Sequence, residues 1–262
     1  MGVRHRATAF QGFLDWTERF RGRTAVFRGV EDVGQMWPVA VRSYFRSRGE
    51  MPGASDKPVL AEFRDYERAL FTSFRREALL MTEHMPRDDW QWLALAQHYG
   101  LPTRLLDWSG SPLVALYFAV SRGEGEAPSR VYAYDWGPVG HEIAAIDPTG
   151  GPGPSPLDYG EAIGRFAPPI ISKRMAEQEG VFTIQGNPLH AIEEVAGERL
   201  QHHEIEAEER GAVLIDLFRL GISASSLFRD LPGLAETLRW QYEDYIPRLS
   251  NPDARERRRV AK

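Results

Sequence analysis

The sequence predicts an α+β fold, a single domain in which a small split sheet, mixed or antiparallel, is flanked by helices. Segments with helical periodicity and short β-rich segments follow one another without the regular strand–helix–strand alternation of a parallel sheet. The 262 residues suffice for one large domain or two small ones, and no composition shift cuts the chain near its middle. We therefore expect an N-terminal helical segment over 1–23, one main domain over 24–247 and a basic tail over 248–262.

The first elements follow from apolar spacing. An amphipathic helix is predicted over 7–20 and a buried strand over 24–30, where the β-rich run TAVFRGV stands. Apolar residues at helical spacing predict a long helix over 58–82 with a charged outer face.

Capping residues delimit the next two helices. Asp88 or Asp89 is placed to cap a helix that Gly100 ends. A short strand is predicted over 104–108. Ser111 followed by Pro112 is a strong signal for the start of an apolar helix.

The second half of the chain mixes strands, a loop and helices. The pattern predicts strands over 129–136, 141–147 and 180–186, separated by a loop rich in proline and glycine over 148–160. The acidic stretch 191–210 is most simply a solvated helix face, and 211–220 fits either a strand or a helix. A C-terminal helix over 233–246 is expected to bury Leu234, Leu238 and Tyr242.

Composition excludes several classes of function. The formal net charge of −5 gives no overall attraction for nucleic acid, and the absence of cysteine rules out disulfides and thiolate chemistry. No apolar run reaches membrane-spanning length and the N-terminus lacks the apolar core of a signal peptide, so we expect a cytoplasmic protein without membrane contact. No metal-ligand spacing, P-loop, dinucleotide fingerprint or nucleophile elbow is present, and no metal is expected.

Four motifs, in order along the chain, resemble the FRG domain, which is named for its Phe-Arg-Gly motif. They are VFRGV, ALAQHYGLPTRLLDWSGSPLVALYFAV, PPIISKRMAEQEGVFTIQG and GISASSLFRDLPGLAETL, within about residues 24–240. The last motif departs from the family pattern, because Arg229 stands where the family tends to have proline. The family label implies little chemistry, so the residues must supply the functional hypothesis.

Polar groups cluster around two of these motifs. Arg28 and Gly29 end a predicted strand, where a guanidinium can offer a fork of donors to a phosphate or carboxylate, or form a salt bridge. Arg104 lies in an apolar segment and needs a partner, for which Asp107 is the nearest candidate. Ser109 and Ser111 precede a helix N-terminus, which suits a phosphate or the polar edge of a ribose.

The arrangement of strand, Ser-x-Ser and helix also resembles, over a shorter stretch, a segment of ADP-ribosyltransferases. That resemblance implies that Arg28 holds the pyrophosphate or a ribose of NAD as substrate, and that Ser109 and Ser111 support the nicotinamide-ribose pocket. A carboxylate near the ribose would stabilise the cation that forms when the nicotinamide bond breaks. The candidates for this position are Glu177, Gln178 and Glu179. The FRG pattern favours Gln178, which can orient a hydroxyl but cannot neutralise a cation, and Glu179 is the better chemical group.

Two further candidates lie at the end of the helix before Gly100. His98 is a candidate general base, a ligand on the nicotinamide side or a helix C-cap, and Tyr99 is placed to stack on a base or to fill the core. With Arg28, Gly29, Arg104, Asp107 and the two serines, they complete the predicted site.

Three functions compete. The first is an ADP-ribosyltransferase-like enzyme that splits NAD and modifies a macromolecular target, as a bacterial toxin or phage-defence effector would. The second is a module that binds a nucleotide or a nucleic-acid end, without turnover, in a pocket lined by Arg28, Arg42 and Arg104. The third is a protein-interaction domain in which these groups only brace the core.

Overall fold

The chain folds into seven strands and nine labelled helices in the part that a computed structural model describes. The described residues are 8–22, 24–31, 34–52, 57–82, 85–122, 125–136, 145–146, 155–160, 163–167 and 180–247. The strands are β1 Ala25–Val30, β2 Leu106–Ser109, β3 Ser129–Asp135, β4 Ala145–Ile146, β5 Ile163–Phe166, β6 Gly180–Gln185 and β7 Leu200–Ile205. The helices are α1 Ala9–Thr17, α2 Val39–Arg46, α3 Lys57–Ala78, α4 Asp89–His98, α5 Pro112–Val120, α6 Ile192–Ala196, α7 Arg210–Arg219, α8 Ala224–Phe228 and α9 Leu231–Trp240.

The strands form one sheet in the order β4-β5-β6-β2-β1-β3-β7. Neighbouring strands are antiparallel except for β4 and β5, which are parallel. The α+β class predicted from the sequence is therefore confirmed. The sheet is also mixed, as expected.

Alternation along β3 sends side chains to two different cores. Val131 and Ala133 pack with α1, α5 and α7, whereas Tyr132 and Tyr134 pack on the other face with Trp108. Two further clusters complete the interior: one joins α3, α4 and β6, and the other joins α2 to the first half of α3. The position of α5 on the sheet follows from this arrangement, because its small residues Ala115 and Ala119 lie against β1.

Several elements differ from the sequence prediction. The predicted strand over 104–108 lies at Leu106–Ser109, so Arg104 precedes it. The acidic stretch 191–210, expected as a helix face, contains strand β7 as well as α6, because its polar residues alternate with half-buried ones. The segment 211–220 is helical and belongs to α7.

The C-terminal helix corrects a further prediction. Leu234, Leu238 and Tyr242 were expected to be buried but are 44%, 44% and 70% exposed. The helix instead buries Gly233 and Thr237, and the absence of a side chain at Gly233 allows close packing against α8. After Trp240 it continues as a π-helical turn over Gln241–Tyr245.

Candidate functional site

A seam divides the sheet between β1 and β2. Within the described chain these two strands pair at a single position, Phe27 opposite Ser109, whereas β1 pairs with β3 over six residues. The seam separates a four-stranded half, β4-β5-β6-β2, from a three-stranded half, β1-β3-β7. The sheet is split in this sense, and four of the predicted site residues lie on the two strands that flank the seam: Arg28, Gly29, Asp107 and Ser109.

Arg28 crosses the seam. Its Nη1 donates a hydrogen bond to the backbone carbonyl of Asp107 at 2.7 Å and lies 3.5 Å from the Asp107 carboxylate. The side chain is only 19% exposed, and its buried Nε makes no hydrogen bond within the described residues. The guanidinium therefore links the two halves of the sheet where backbone pairing is missing.

Asp107 is held from both sides. Besides its contact with Arg28, its Oδ2 accepts a hydrogen bond from Gln97 Nε2 at 2.8 Å. Thr103 Oγ1 donates to the side-chain oxygen of Gln97 and accepts from the backbone N–H of Leu105. This chain of hydrogen bonds fixes the end of α4 against the start of β2.

Arg104 does not pair with Asp107, so that prediction was wrong. Its Nε lies 2.7 and 2.9 Å from the two carboxylate oxygens of Glu67, and its Nη2 also donates to Glu67. Both side chains are almost completely buried, and Arg104 Nη1 has no partner in the described chain. Arg104 braces α3 against the loop before β2 and is not available to a ligand at the seam.

The two serines organise the start of α5. Ser109 Oγ accepts the backbone N–H of Ser111 at 3.0 Å, and Ser111 Oγ accepts that of Val114 at 3.5 Å. Ser111 is thus the N-cap predicted from the sequence, with Pro112 at the first helical position. Both hydroxyls serve the turn between β2 and α5.

Strand alternation places Arg28 and Ser109 on opposite faces of the sheet. A Cβ atom at Gly29 would lie 1.9 Å from the carbonyl oxygen of Ala115, so Gly29 faces α5, as Ser109 does. The Arg28 side chain leaves β1 on the other face of the sheet, where Trp108 also lies. The structure brings the Arg28 guanidinium to Asp107 through the seam but does not bring it beside the Ser109 hydroxyl on one face.

An arginine cluster stands beside the seam. It consists of Arg28, Arg42 and Arg46; the last two are one turn apart on α2. The pKa of Arg42 is lowered by partial burial and then by the positive charges of Arg28 and Arg46. Arg42 and Arg46 both remain solvent-accessible, and neither forms an ion pair within the described residues. The cluster is therefore a concentration of positive charge with Asp107 as the carboxylate in contact with it.

His98 and Tyr99 end α4 close to this network. His98 is the last helical residue, Tyr99 is the C-cap and Gly100 adopts the left-handed conformation predicted for it. The two rings meet edge to face, 5.1 Å between centroids, and Tyr99 is 73% exposed. Tyr99 therefore does not fill the core and presents a free aromatic surface.

Gln178 and Glu179, the predicted catalytic residues, lie outside the described residues. Sequence reasoning missed Glu67 and Arg46 as partners in this region. For Glu67 a signal was present: it follows Phe63 by four residues and precedes Phe71 by four, so a carboxylate stands on the apolar side of α3. No comparable signal marks Arg46, which becomes part of the cluster only through the packing of α2.

A cleft of about 680 Å³ opens elsewhere, between the end of α5 and helices α7, α8 and α9. Tyr117 lies at its base, where burial and the neighbouring Glu236 carboxylate raise the pKa of the phenol to about 12. Charges of both signs line the cleft, and none of the predicted site residues is among them.

The described part of the chain contains no helix long and apolar enough to cross a membrane, and no group of three or more metal-ligating side chains. Neither the curated proteins nor the solved structures yielded a match to the chain. The family model of the FRG domain matches residues 23–127. This range includes β1, the seam, the arginine cluster and α5, and hence two of the four motifs on which the resemblance was based. Residues 23–127 of the chain are therefore similar to the FRG domain.

Proposed function

We propose that this domain binds a phosphate-bearing ligand, a nucleotide or a nucleic-acid end, at the arginine cluster beside the seam. The observation that carries the proposal is the position of the Arg28 guanidinium, whose Nη1 is held by the Asp107 carbonyl at 2.7 Å and which acts on Arg42 as a neighbouring positive charge. Three positive charges stand here against one carboxylate in contact with them, that of Asp107, and an anion would offset the excess positive charge. A guanidinium also matches the oxygens of phosphate in shape.

Arg28 supports the proposal through its geometry. Its Nη1 is occupied by the Asp107 carbonyl, while Nη2 has no hydrogen bond within the described chain. The exposed ring of Tyr99, on the helix whose Gln97 contacts Asp107, offers a surface for a base. A phosphate at Arg28 and Arg42 with a base toward Tyr99 is the arrangement we propose for a bound nucleotide.

The sharpest test changes Arg42, whose side chain forms no hydrogen bond or ion pair with the described residues. We expect Arg42→Gln to weaken binding of NAD, ADP-ribose or a 5′-phosphorylated oligonucleotide by about tenfold, the loss of one charged hydrogen bond. The matched control is Arg239→Gln on α9, also exposed and without an ion pair in the described chain. Isothermal titration with each ligand gives the affinity. Equal affinity for wild type and Arg42→Gln, or no binding at all, contradicts the proposal.

Cleavage of NAD is the catalytic form of this hypothesis, and it is a separate proposal. It requires Gln178 or Glu179 to reach the ribose and makes the protein an ADP-ribosyltransferase-like enzyme with a macromolecular acceptor, as in a toxin or phage-defence effector. Release of nicotinamide by the wild type but not by Glu179→Gln would support it. Saturable binding of NAD without release of nicotinamide would leave the binding module as the function.

A further inference from the structure

Two buried hydrogen-bond donors at the end of β3 have no partner. Tyr134 is fully buried and Trp136 is 6% exposed, and neither Tyr134 Oη nor Trp136 Nε1 forms a hydrogen bond within the described chain. Their ring centroids lie 4.7 Å apart, so the two side chains are neighbours in the core. An indole N–H can only donate, and leaving such a group buried and unpaired is costly.

Two arginines lie against the same pair of rings. The guanidinium carbon of Arg165, on β5, is 5.7 Å from the centre of the Trp136 ring. That of Arg199, in the turn after α6, is 5.9 Å from the centre of the Tyr134 ring. Neither arginine forms an ion pair with any described residue, and Arg199 is exposed, which gives the group a side open to solvent.

Cation–π contact explains why the guanidiniums stack on the rings, but it leaves both buried donors unsatisfied. The side chains gathered here bring two guanidiniums, an indole N–H that can only donate and a phenol hydroxyl that can donate, and no ion pair among the described residues includes either arginine. An oxyanion would supply both the missing acceptors and the missing negative charge.

We infer that Tyr134, Trp136, Arg165 and Arg199 form a second anion site, which takes the phosphate or carboxylate group of a ligand. This site is independent of the arginine cluster, because it consists of different residues. It is inferred from buried hydrogen-bond donors without acceptors and not from neighbouring positive charges. Arg165 belongs to the four-stranded half of the sheet and Tyr134 to the three-stranded half, so a bound anion would also join the two halves.

The test is made in the Arg42→Gln variant, in which binding at the arginine cluster is expected to be weakened. Inorganic phosphate and, separately, succinate are titrated while the melting temperature is recorded. We expect at least one of the two anions to raise the melting temperature. The anion that binds more tightly shows whether the site takes a phosphate or a carboxylate group. Adding Tyr134→Phe, which keeps the ring under Arg199 and removes only the hydroxyl, should weaken binding about tenfold.

Arg199→Gln provides a second variant, at an exposed position where folding is not at risk, and it should weaken binding similarly. Without anion, Tyr134→Phe should melt at the same temperature as its parent or higher, because an unsatisfied buried hydroxyl is removed. The inference is overturned if neither anion stabilises Arg42→Gln, or if Tyr134→Phe and Arg199→Gln respond as their parent does. Neither result bears on the proposed binding at Arg42, which is tested separately by isothermal titration.

Discussion

Arg104 and Glu67 show how a charged pair can serve the fold alone. The two side chains are 1% and 3% exposed, and three hydrogen bonds join them. Such a pair gains little over a well-packed apolar pair, but it becomes costly when one partner is lost, because the other charge stays buried. The sequence identified Arg104 as a residue in need of a partner. It could not identify the partner, because Glu67 lies 37 residues earlier, on α3.

Removal of the Glu67 charge should therefore destabilise the protein strongly. We expect Glu67→Gln to lower the free energy of unfolding by about 3–5 kcal/mol, since Arg104 would remain buried without its counter-charge. Urea unfolding followed by tryptophan fluorescence measures the change.

Glu77→Gln on the same helix is the matched control, because Glu77 is exposed and, among the described residues, forms an ion pair only with the adjacent Arg76. It should change stability by no more than about 0.5 kcal/mol. The double variant Glu67→Met with Arg104→Met should recover most of the loss. Equal effects of Glu67→Gln and Glu77→Gln would show that the buried pair is not what holds α3.

His203 should make stability depend on pH. It lies between the rings of Phe13 and Trp16, and burial lowers its pKa from the ordinary value of 6.5; His202 lowers it further, whereas Glu209 and Glu204 oppose the shift. As pH falls below 6.5 the unfolded chain takes up the proton first, so this contribution to stability is full above 6.5 and is lost below it.

His203→Phe should make the melting temperature fall less between pH 7 and pH 5. His203→Gln also removes the titrating group but adds no apolar surface, so it should show the same reduced dependence on pH. If all three proteins lose stability in parallel as the pH falls, His203 is not the group responsible.

At the scale of elements, local signals predicted well wherever they were self-contained. Ser111 and Pro112 fixed the start of α5, and Gly100 fixed the end of α4, because caps act within one turn of the chain. Strand β7 was missed because its identity depends on β3, with which it pairs over six residues, and not on its own acidic composition. The exposed side of α9 was also mispredicted, because the close approach at Gly233 and Thr237 decides which face packs.

The packing of α5 on β1 depends on Gly29. A Cβ at this position would lie 1.9 Å from Ala115 O and 2.6 Å from Ala119 N, which are backbone atoms that cannot rotate away. Gly29→Ala should therefore cost at least about 3 kcal/mol of unfolding free energy, the upper part of the range for overpacking.

Gly12→Ala is the control, because a Cβ at Gly12 in α1 would meet nothing within 4 Å. That change should raise stability by about 0.5–1 kcal/mol through helix propensity. Thermal unfolding of the two variants distinguishes them by sign. A tolerated Gly29→Ala would mean that α5 does not lie as close to β1 as the structure has it.

At the scale of the whole molecule, the seam is the feature that the sequence could not reveal. Its position depends on which residues of β1 and β2 face each other, and a single register pair, Phe27 with Ser109, carries no signature in either strand. The predicted site fared similarly. The sequence assigned Arg28 and Asp107 to one candidate ligand site. In the structure, the Arg28 guanidinium instead bridges the two halves of the sheet.

Loss of that bridge should loosen the seam without unfolding either half. In Arg28→Met, amide hydrogens of β2 should exchange faster, while those of β3 and β7, paired over six residues, should keep their protection. Hydrogen exchange read by mass spectrometry gives the comparison, with Arg130→Met on β3 as the control, because the exposed Arg130–Glu204 pair lies away from the seam. Uniform acceleration in all strands would indicate global destabilisation instead.

The seam also sets how this protein should respond to mechanical force. Most neighbouring strands are paired along several residues, but within the described chain β1 and β2 pair at one position, supplemented by one guanidinium. Under a pulling force applied across the sheet, rupture would begin between β1 and β2 and leave two separated lobes. A ligand that binds both halves of the sheet would cross-link them and raise the force at which they separate.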